Sequence, residues 1–288
     1  NTPAVTVTKL LGPEHGIWST HQDMEAVSEE GTPDHVFGIP TFSLYGAEVE
    51  SLTPSTELLS DVDILIYDIC DIGTRFYTYA ATLAFAMETA AKVDTEVWVL
   101  DRPNPIGYDV EGPLLEPGFE SFCGIEPGLP VRHGMTVGEL ARWYQARRAP
   151  TCSLRVIPCD RNGKNVWVPP SPNMPTLDTA YVYPGMCLLE GTTLSEGRGT
   201  TTPFLLFGAP EIDPVRLCNT LHLFECPGVD FVPRIFRPEF GKHAGKQCGG
   251  AYIRVFDPTC VQGVALGVYC LEAVRRVAPQ ALRWRTDA

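Results

Sequence analysis

The 288 residues carry no excess of positive charge: Lys+Arg 22 against Asp+Glu 35 gives a formal net charge of −13. A nucleic-acid or anionic-membrane surface needs a basic footprint, so neither is expected as a partner. No apolar run approaches the roughly 18 residues that span a bilayer, which speaks against membrane insertion. Repeats and low-complexity tracts are missing too. With 44% hydrophobic and 20% charged residues, the composition is that of a packed globular protein.

Several catalytic signatures are also absent. No Gly-x-Gly-x-x-Gly follows a strand, so the dinucleotide fingerprint is lacking. Residues 241–246 come near a phosphate loop but are one residue short, with Gln247 where Ser or Thr belongs. There is no Gly-x-Ser-x-Gly elbow, no His-Glu-x-x-His and no paired-His metal pattern. The ten cysteines form no Cys-x-x-Cys, and none sits with His at a zinc-finger spacing. Cys70, Cys187, Cys218 and Cys270 lie in apolar stretches, so mostly free thiols are expected. No cofactor or metal is expected. Carboxylate chemistry is what remains.

What is present reads as α/β. Short apolar runs at 5–11, 62–67 and 96–100 have strand character, and 77–93 has apolar positions at helical spacing. Strand, helix, strand in that order makes a parallel βαβ unit. The stretch 136–148 is a further helix, with Thr136 and Glu139 as a capping box. Strands are expected at 154–159, 231–236 and 251–256, and helices over 181–189 (in part), 214–224 and 261–277. The first half therefore reads as an open, doubly wound α/β domain with a parallel sheet, and a domain boundary is expected near residue 150. Residue 1 is Asn, and the run 6–12 enters at once as strand, so a chain truncated at both ends is expected.

In open parallel sheets, ligands bind beyond the carboxyl ends of the strands. The first run ends in Gly-Pro-Glu14-His15-Gly, the second in Asp68-Ile-Cys70-Asp71-Ile-Gly-Thr-Arg75, and the third in Asp101-Arg102-Pro-Asn104. Carboxylates gathered at one edge in a Gly/Pro frame suit acid/base work. Asp68, Asp71 and Asp101 have an ordinary alternative as helix caps or turn residues. Glu14 is harder to explain that way, because Glu caps helices poorly. The second half adds Glu190, Glu196 and Arg198 in a loop with three glycines, and His133 precedes a helix. Arg198 could grip a carboxylate, or merely form a solvated ion pair.

These strings also resemble a known family. GPEHG at 12–16, SLYG at 43–46, DICDIGTRFYTY at 68–79, DRPNPIG at 101–107, EGPL at 111–114 and RHGMTVGEL at 132–140 stand in order. The long block over 171–208 and RPEFGKHAGKQCGG at 237–250 complete the pattern. Together they are similar to the NamZ-type exo-β-N-acetylmuramidases, glycoside hydrolase family 171, long known only as a domain of unknown function. Cys70 and the stretch 18–21 depart from the commonest form.

The resemblance implies an α/β fold with a Rossmann-like open parallel sheet over 1–150 and a smaller α+β auxiliary domain over 151–288 that forms the other wall of the cleft. It also implies removal of N-acetylmuramic acid from the non-reducing end of peptidoglycan fragments. It implies MurNAc-GlcNAc saccharides or muropeptides as partners and an exported or periplasmic setting. A homodimer is compatible with it. It carries over Glu14 as catalytic. A glycosidase usually needs a second carboxylate, here Asp71, Glu190 or Glu196. Expected at the substrate are His15, Asp68, Arg75, Asp101, Asn104, His133 and Arg198, of which Arg198, Arg75 or His133 would meet the lactyl carboxylate. Two rival readings use the same residues: another carbohydrate-active hydrolase, and a non-catalytic muropeptide-binding module.

Overall fold

The computed structural model describes residues 5–22, 25, 30–46, 49–160 and 167–286. Its chain divides into two compact units. The first comprises 1–105, 115–129 and 134–172, and the second 106–114, 130–133 and 173–288.

In the first unit, β1 (Leu10–Gly12) pairs in parallel with β3 (Pro40–Ser43), which pairs antiparallel with β2 (Glu30–Pro33). The short α1 (Thr56–Leu59) starts at Ser55, whose hydroxyl accepts the Leu58 N–H. Then come β4 (Ile64–Tyr67), α2 (Thr78–Ala90) and β5 (Glu96–Leu100). After the chain has passed through β6 (Glu111–Leu114) and β7 (Pro130–Arg132) of the second unit, it returns with α3 (Val137–Arg147) and β8 (Leu154–Ile157). The strands β4, β5 and β8 form one all-parallel sheet with β5 central. Their alternate residues explain the packing: Tyr67, Val97 and Val99 meet Leu83 and Met87 of α2 and Val137 and Ala141 of α3 in one buried cluster. The capping box at α3 is formed at both ends, Thr136 Oγ1 accepting the Glu139 N–H and Glu139 Oε2 accepting the Thr136 N–H.

The expected boundary near residue 150 falls inside the first unit, because β8 hydrogen-bonds to β5 and draws the chain up to Pro172 into the same body. The first strand is shorter than expected. Residues 6–9 lie outside any strand, and Val5 and Val7 are exposed. The four strands β2, β3, β6 and β7 were not legible as strands, since each is only three or four residues long and polar or proline-bearing.

In the second unit, β6 and β7 pair antiparallel, and β9 (Leu206–Ala209), β10 (Val229–Phe236) and β11 (Cys248–Val255) make an antiparallel sheet with β11 central. The helices are α4 (Leu177–Met186), α5 (Pro214–His222) and α6 (Gly263–Val277). Asp213 caps α5 by accepting the Val215 and Arg216 N–H groups. No residue of its own caps α6. Instead the Glu111 carboxylate accepts the Ala265 N–H from β6, 154 residues earlier in the chain. An anion at a helix N-terminus meets its unpaired N–H groups and its dipole. Glycines let α4 and α6 touch backbone to backbone: a Cβ on Gly267 would lie 2.2 Å from the Gly185 carbonyl oxygen. All ten cysteines are free thiols, and burial pushes Cys152 and Cys218 up to about 11.

Candidate active site

Glu14 stands in a closed turn at the end of β1. The Gly16 N–H donates to the Pro13 carbonyl at 2.9 Å, and the Thr20 N–H returns to the His15 carbonyl at 3.0 Å. His15 and Gly16 both hold positive φ, 73° and 74°, the left-handed region that glycine enters freely and a non-glycine residue seldom does. His15 Nδ1 lies 2.9 Å from the His21 carbonyl oxygen. A carbonyl can only accept, so Nδ1 carries the proton, and a neutral His15 presents its lone pair at Nε2. Trp18 Nε1 donates to Asp34 Oδ2 at 2.8 Å, which ties the turn to the β2–β3 connection.

Glu14 is buried, 6% exposed. Thr78 Oγ1 donates to its Oε2 at 2.6 Å. Thr78 is the first residue of α2, whose own first turn has no acidic group and no side-chain cap. The Glu14 side chain thus packs against the first turn of α2. Tyr79 Oη lies 3.1 Å from the Glu14 carbonyl oxygen and 2.7 Å from that of Pro170. Its ring meets Tyr77 edge-on at 4.8 Å. Burial, with the Glu14 charge adding to it, pushes the Tyr77 and Tyr79 phenols well up, so both stay protonated donors. Thr78, Tyr77 and Tyr79 lie in the recognisable DICDIGTRFYTY string, yet no spacing rule pointed to a partner 64 residues away.

A shallow cleft, partly open to solvent, lies beyond the carboxyl ends of β4 and β5. Cys70 and Asp71 line it after β4, Arg102, Asn104 and Pro105 after β5, and Trp167 from the loop after β8. Asp71 is buried, and its Oδ2 accepts the Gly73 N–H at 2.8 Å, a turn role that leaves it on the cleft wall. Asn104 Nδ2 donates to the Met135 carbonyl at 2.9 Å. Glu14 is not among the residues that line this cleft; the Tyr67 hydroxyl, behind Asp71, donates to the Tyr79 carbonyl at 3.0 Å.

The other candidates of this unit have structural partners. Asp101 serves α3, with Oδ1 accepting the Gly138 N–H at 2.8 Å and Oδ2 the Thr136 hydroxyl at 3.1 Å. Asp101→Ala is expected to lower stability by about 1–2 kcal/mol through loss of this cap. Thermal melting checks it; an unshifted midpoint would mean the cap contributes nothing. Asp68 pairs with Arg102. Arg75 Nη1 donates to the Leu129 carbonyl, half-buried.

In the second unit, His133 is buried beside Arg132, which donates to the Ile106 and Val261 carbonyls. Glu190, Glu196 and Arg198 do come together, as an ion cluster. Arg198 Nη2 lies 2.8 Å from Glu190 Oε1, and its Nη1 3.3 Å from Glu196 Oε1. Lys242, which sequence reasoning missed, places Nζ 2.9 Å from Glu196 Oε2 and also donates to the Leu189 and Glu190 carbonyls. Arg198 lies over the Phe204 ring at 5.0 Å. Removing one member of so buried a set would leave a charge uncompensated.

A parallel βαβ sheet with a buried carboxylate at a helix start and an acid- and amide-lined cleft at its carboxyl edge is the arrangement of an α/β protein that handles a polar small ligand. The comparisons with known proteins give that class a family. The family model for the N-terminal part of exo-β-N-acetylmuramidase NamZ matches residues 1–178, and that for its C-terminal part matches 181–288. This chain belongs to the NamZ family. It is 42% identical to the peptidoglycan β-N-acetylmuramidase NamZ of Bacillus subtilis (strain 168), over 96% of this chain and 68% of that protein. Among solved structures, a DUF1343 family protein of Bacteroides fragilis NCTC 9343 matches with a TM-score of 0.84 at 32% identity, covering 97% of this chain and 72% of its own. A second protein of that family from the same organism matches at 0.69 and 31%, covering 94% and 71%.

Proposed function

We propose that this chain is an exo-acting β-N-acetylmuramidase that hydrolyses the bond to a terminal, non-reducing N-acetylmuramic acid in peptidoglycan fragments. The observation that carries the reading is the 42% identity with a peptidoglycan β-N-acetylmuramidase across 96% of the chain, together with family models that match both halves. The geometry of the first unit supports a division of labour. Glu14 acts as general acid, giving its proton to the leaving glycosidic oxygen. Asp71, on the cleft wall of the same unit, is the second carboxylate, assisting water or the anomeric carbon from the other face of the sugar. Glu190 and Glu196 are set aside for that role, because Arg198 and Lys242 already hold their oxygens. Substrates of this kind make an exported setting the natural one.

The experiment is release of free N-acetylmuramic acid from a MurNAc-GlcNAc disaccharide, followed by mass spectrometry. Release of both monosaccharides is the expected result. Binding without release would favour a muropeptide-binding module. Cleavage of unrelated chromogenic glycosides or esters in preference to the disaccharide would favour another hydrolase.

A further inference from the structure

We propose that Arg102 is the specificity-determining residue of the cleft, binding the carboxylate that distinguishes an acidic sugar from its neutral analogue. This rests on the muramidase reading and adds to it the group that recognises the acid. A protein with a net charge of −13 repels an anionic ligand unless a local cation receives it. Among the described residues, Arg102 is the one basic side chain lining the cleft.

The arginines expected for this task are held elsewhere. Arg198 has a carboxylate on each of its two terminal nitrogens, and Arg75 is turned to the Leu129 carbonyl. Arg102 differs: among the described residues one carboxylate, that of Asp68, pairs with it, at Nη2. Its side chain is 39% exposed and that of Asp68 53%, so a ligand carboxylate can reach the guanidinium and share or displace that pair. An arginine fork presents two edges to planar acids.

The surroundings fit a sugar. The aromatic Trp167 and the buried amide residue Asn104 are both among the lining residues. Carbohydrate rings pair an apolar face with a ring of hydroxyls, which such a lining can match. The acid could be the lactyl carboxylate of N-acetylmuramic acid itself, or a carboxylate of a peptide amide-linked to it. In the second case the lactyl group is no longer charged.

Calorimetric titration of the 288-residue chain separates these. The ligands are N-acetylmuramic acid, its lactyl methyl ester and an N-acetylmuramoyl dipeptide. The proteins are the parent, Arg102→Met, Arg102→Lys and Asp68→Asn. The parent is expected to bind the acid about 10-fold or more tighter than the ester, the size of a charge-assisted contact. Arg102→Met is expected to abolish that ratio by weakening the acid alone, with Arg102→Lys restoring part of it. Asp68→Asn, which removes a competing carboxylate at an exposed position, is expected to tighten the acid. If the dipeptide follows the acid in its dependence on Arg102, the peptide carboxylate is the group bound; if it follows the ester, the lactyl one is.

An acid-to-ester ratio unchanged by both Arg102→Met and Asp68→Asn would overturn the proposal, as would a parent that binds none of the three ligands. Binding needs no turnover. Intact acid selectivity with no sugar release would therefore count against the hydrolase reading and leave Arg102 in place.

Discussion

Glu14→Gln is expected to lower turnover of the MurNAc-GlcNAc disaccharide by about 10²-fold or more, the contribution of a positioned general acid. Gln keeps the shape of Glu, and its amide oxygen can still accept from Thr78 Oγ1, which lies 2.6 Å from the present Oε2. The turn around it is held by Pro13, Gly16 and Thr20 backbone groups and by Trp18 on Asp34, none of which the substitution touches. The loss should therefore appear in kcat, with KM and the melting temperature nearly unchanged. Equal rates for parent and variant would take Glu14 out of the mechanism. A loss confined to KM would make it a binding residue only.

The second large effect is on stability. Gly267→Ala adds a single methyl group on the α6 face that meets α4, yet that Cβ would lie 2.2 Å from the Gly185 carbonyl oxygen and 2.3 Å from its carbon. Gly185 meets the reciprocal obstacle, its own Cβ falling 2.1 Å from the Gly263 carbonyl oxygen. All these neighbours are backbone, so no side chain can swing aside and the two helices must part. Overpacking usually costs about 1–3 kcal/mol, and more where relief requires moving backbone. A loss of about 3 kcal/mol or more is expected, a fall of about 6–12 °C in melting temperature. In an open helix interior the same change would be stabilising by about 1 kcal/mol, because Ala is the better helix former. A raised melting temperature would thus mean that α4 and α6 do not touch here in solution.

Both expectations concern residues whose local signal was weak and whose partner is remote. The elements legible from sequence were those with a signal contained in a few consecutive residues. The Thr136 and Glu139 capping box sits within one turn, and α3 begins where it says. The short apolar run 96–100 became β5 and the long amphipathic stretch became α6, two residues shorter at its start than expected. The βαβ order of β4, α2 and β5 gave the parallel sheet and the edge at which ligands gather. The strings carrying the family resemblance were legible as well, and the family models confirm that membership.

The tertiary structure decided what each charged residue at that edge does, since charge and spacing are the same for a cap, an ion pair and an acid. Asp101 caps α3 because the fold brings Gly138 N–H within 2.8 Å, 37 residues on. Arg198 holds two carboxylates because the chain folds Glu190 and Glu196 onto its two terminal nitrogens, with Lys242 on the other oxygen of Glu196. Arg102, which sequence left among the neighbours of Asp101, stands on the cleft. A side chain's chemistry depends on which distant groups share its few ångströms. Sequence determined the helices, strands and family of this protein because those rest on local and linear patterns. Only the folded chain could decide which carboxylates and cations are already paired and which face the ligand.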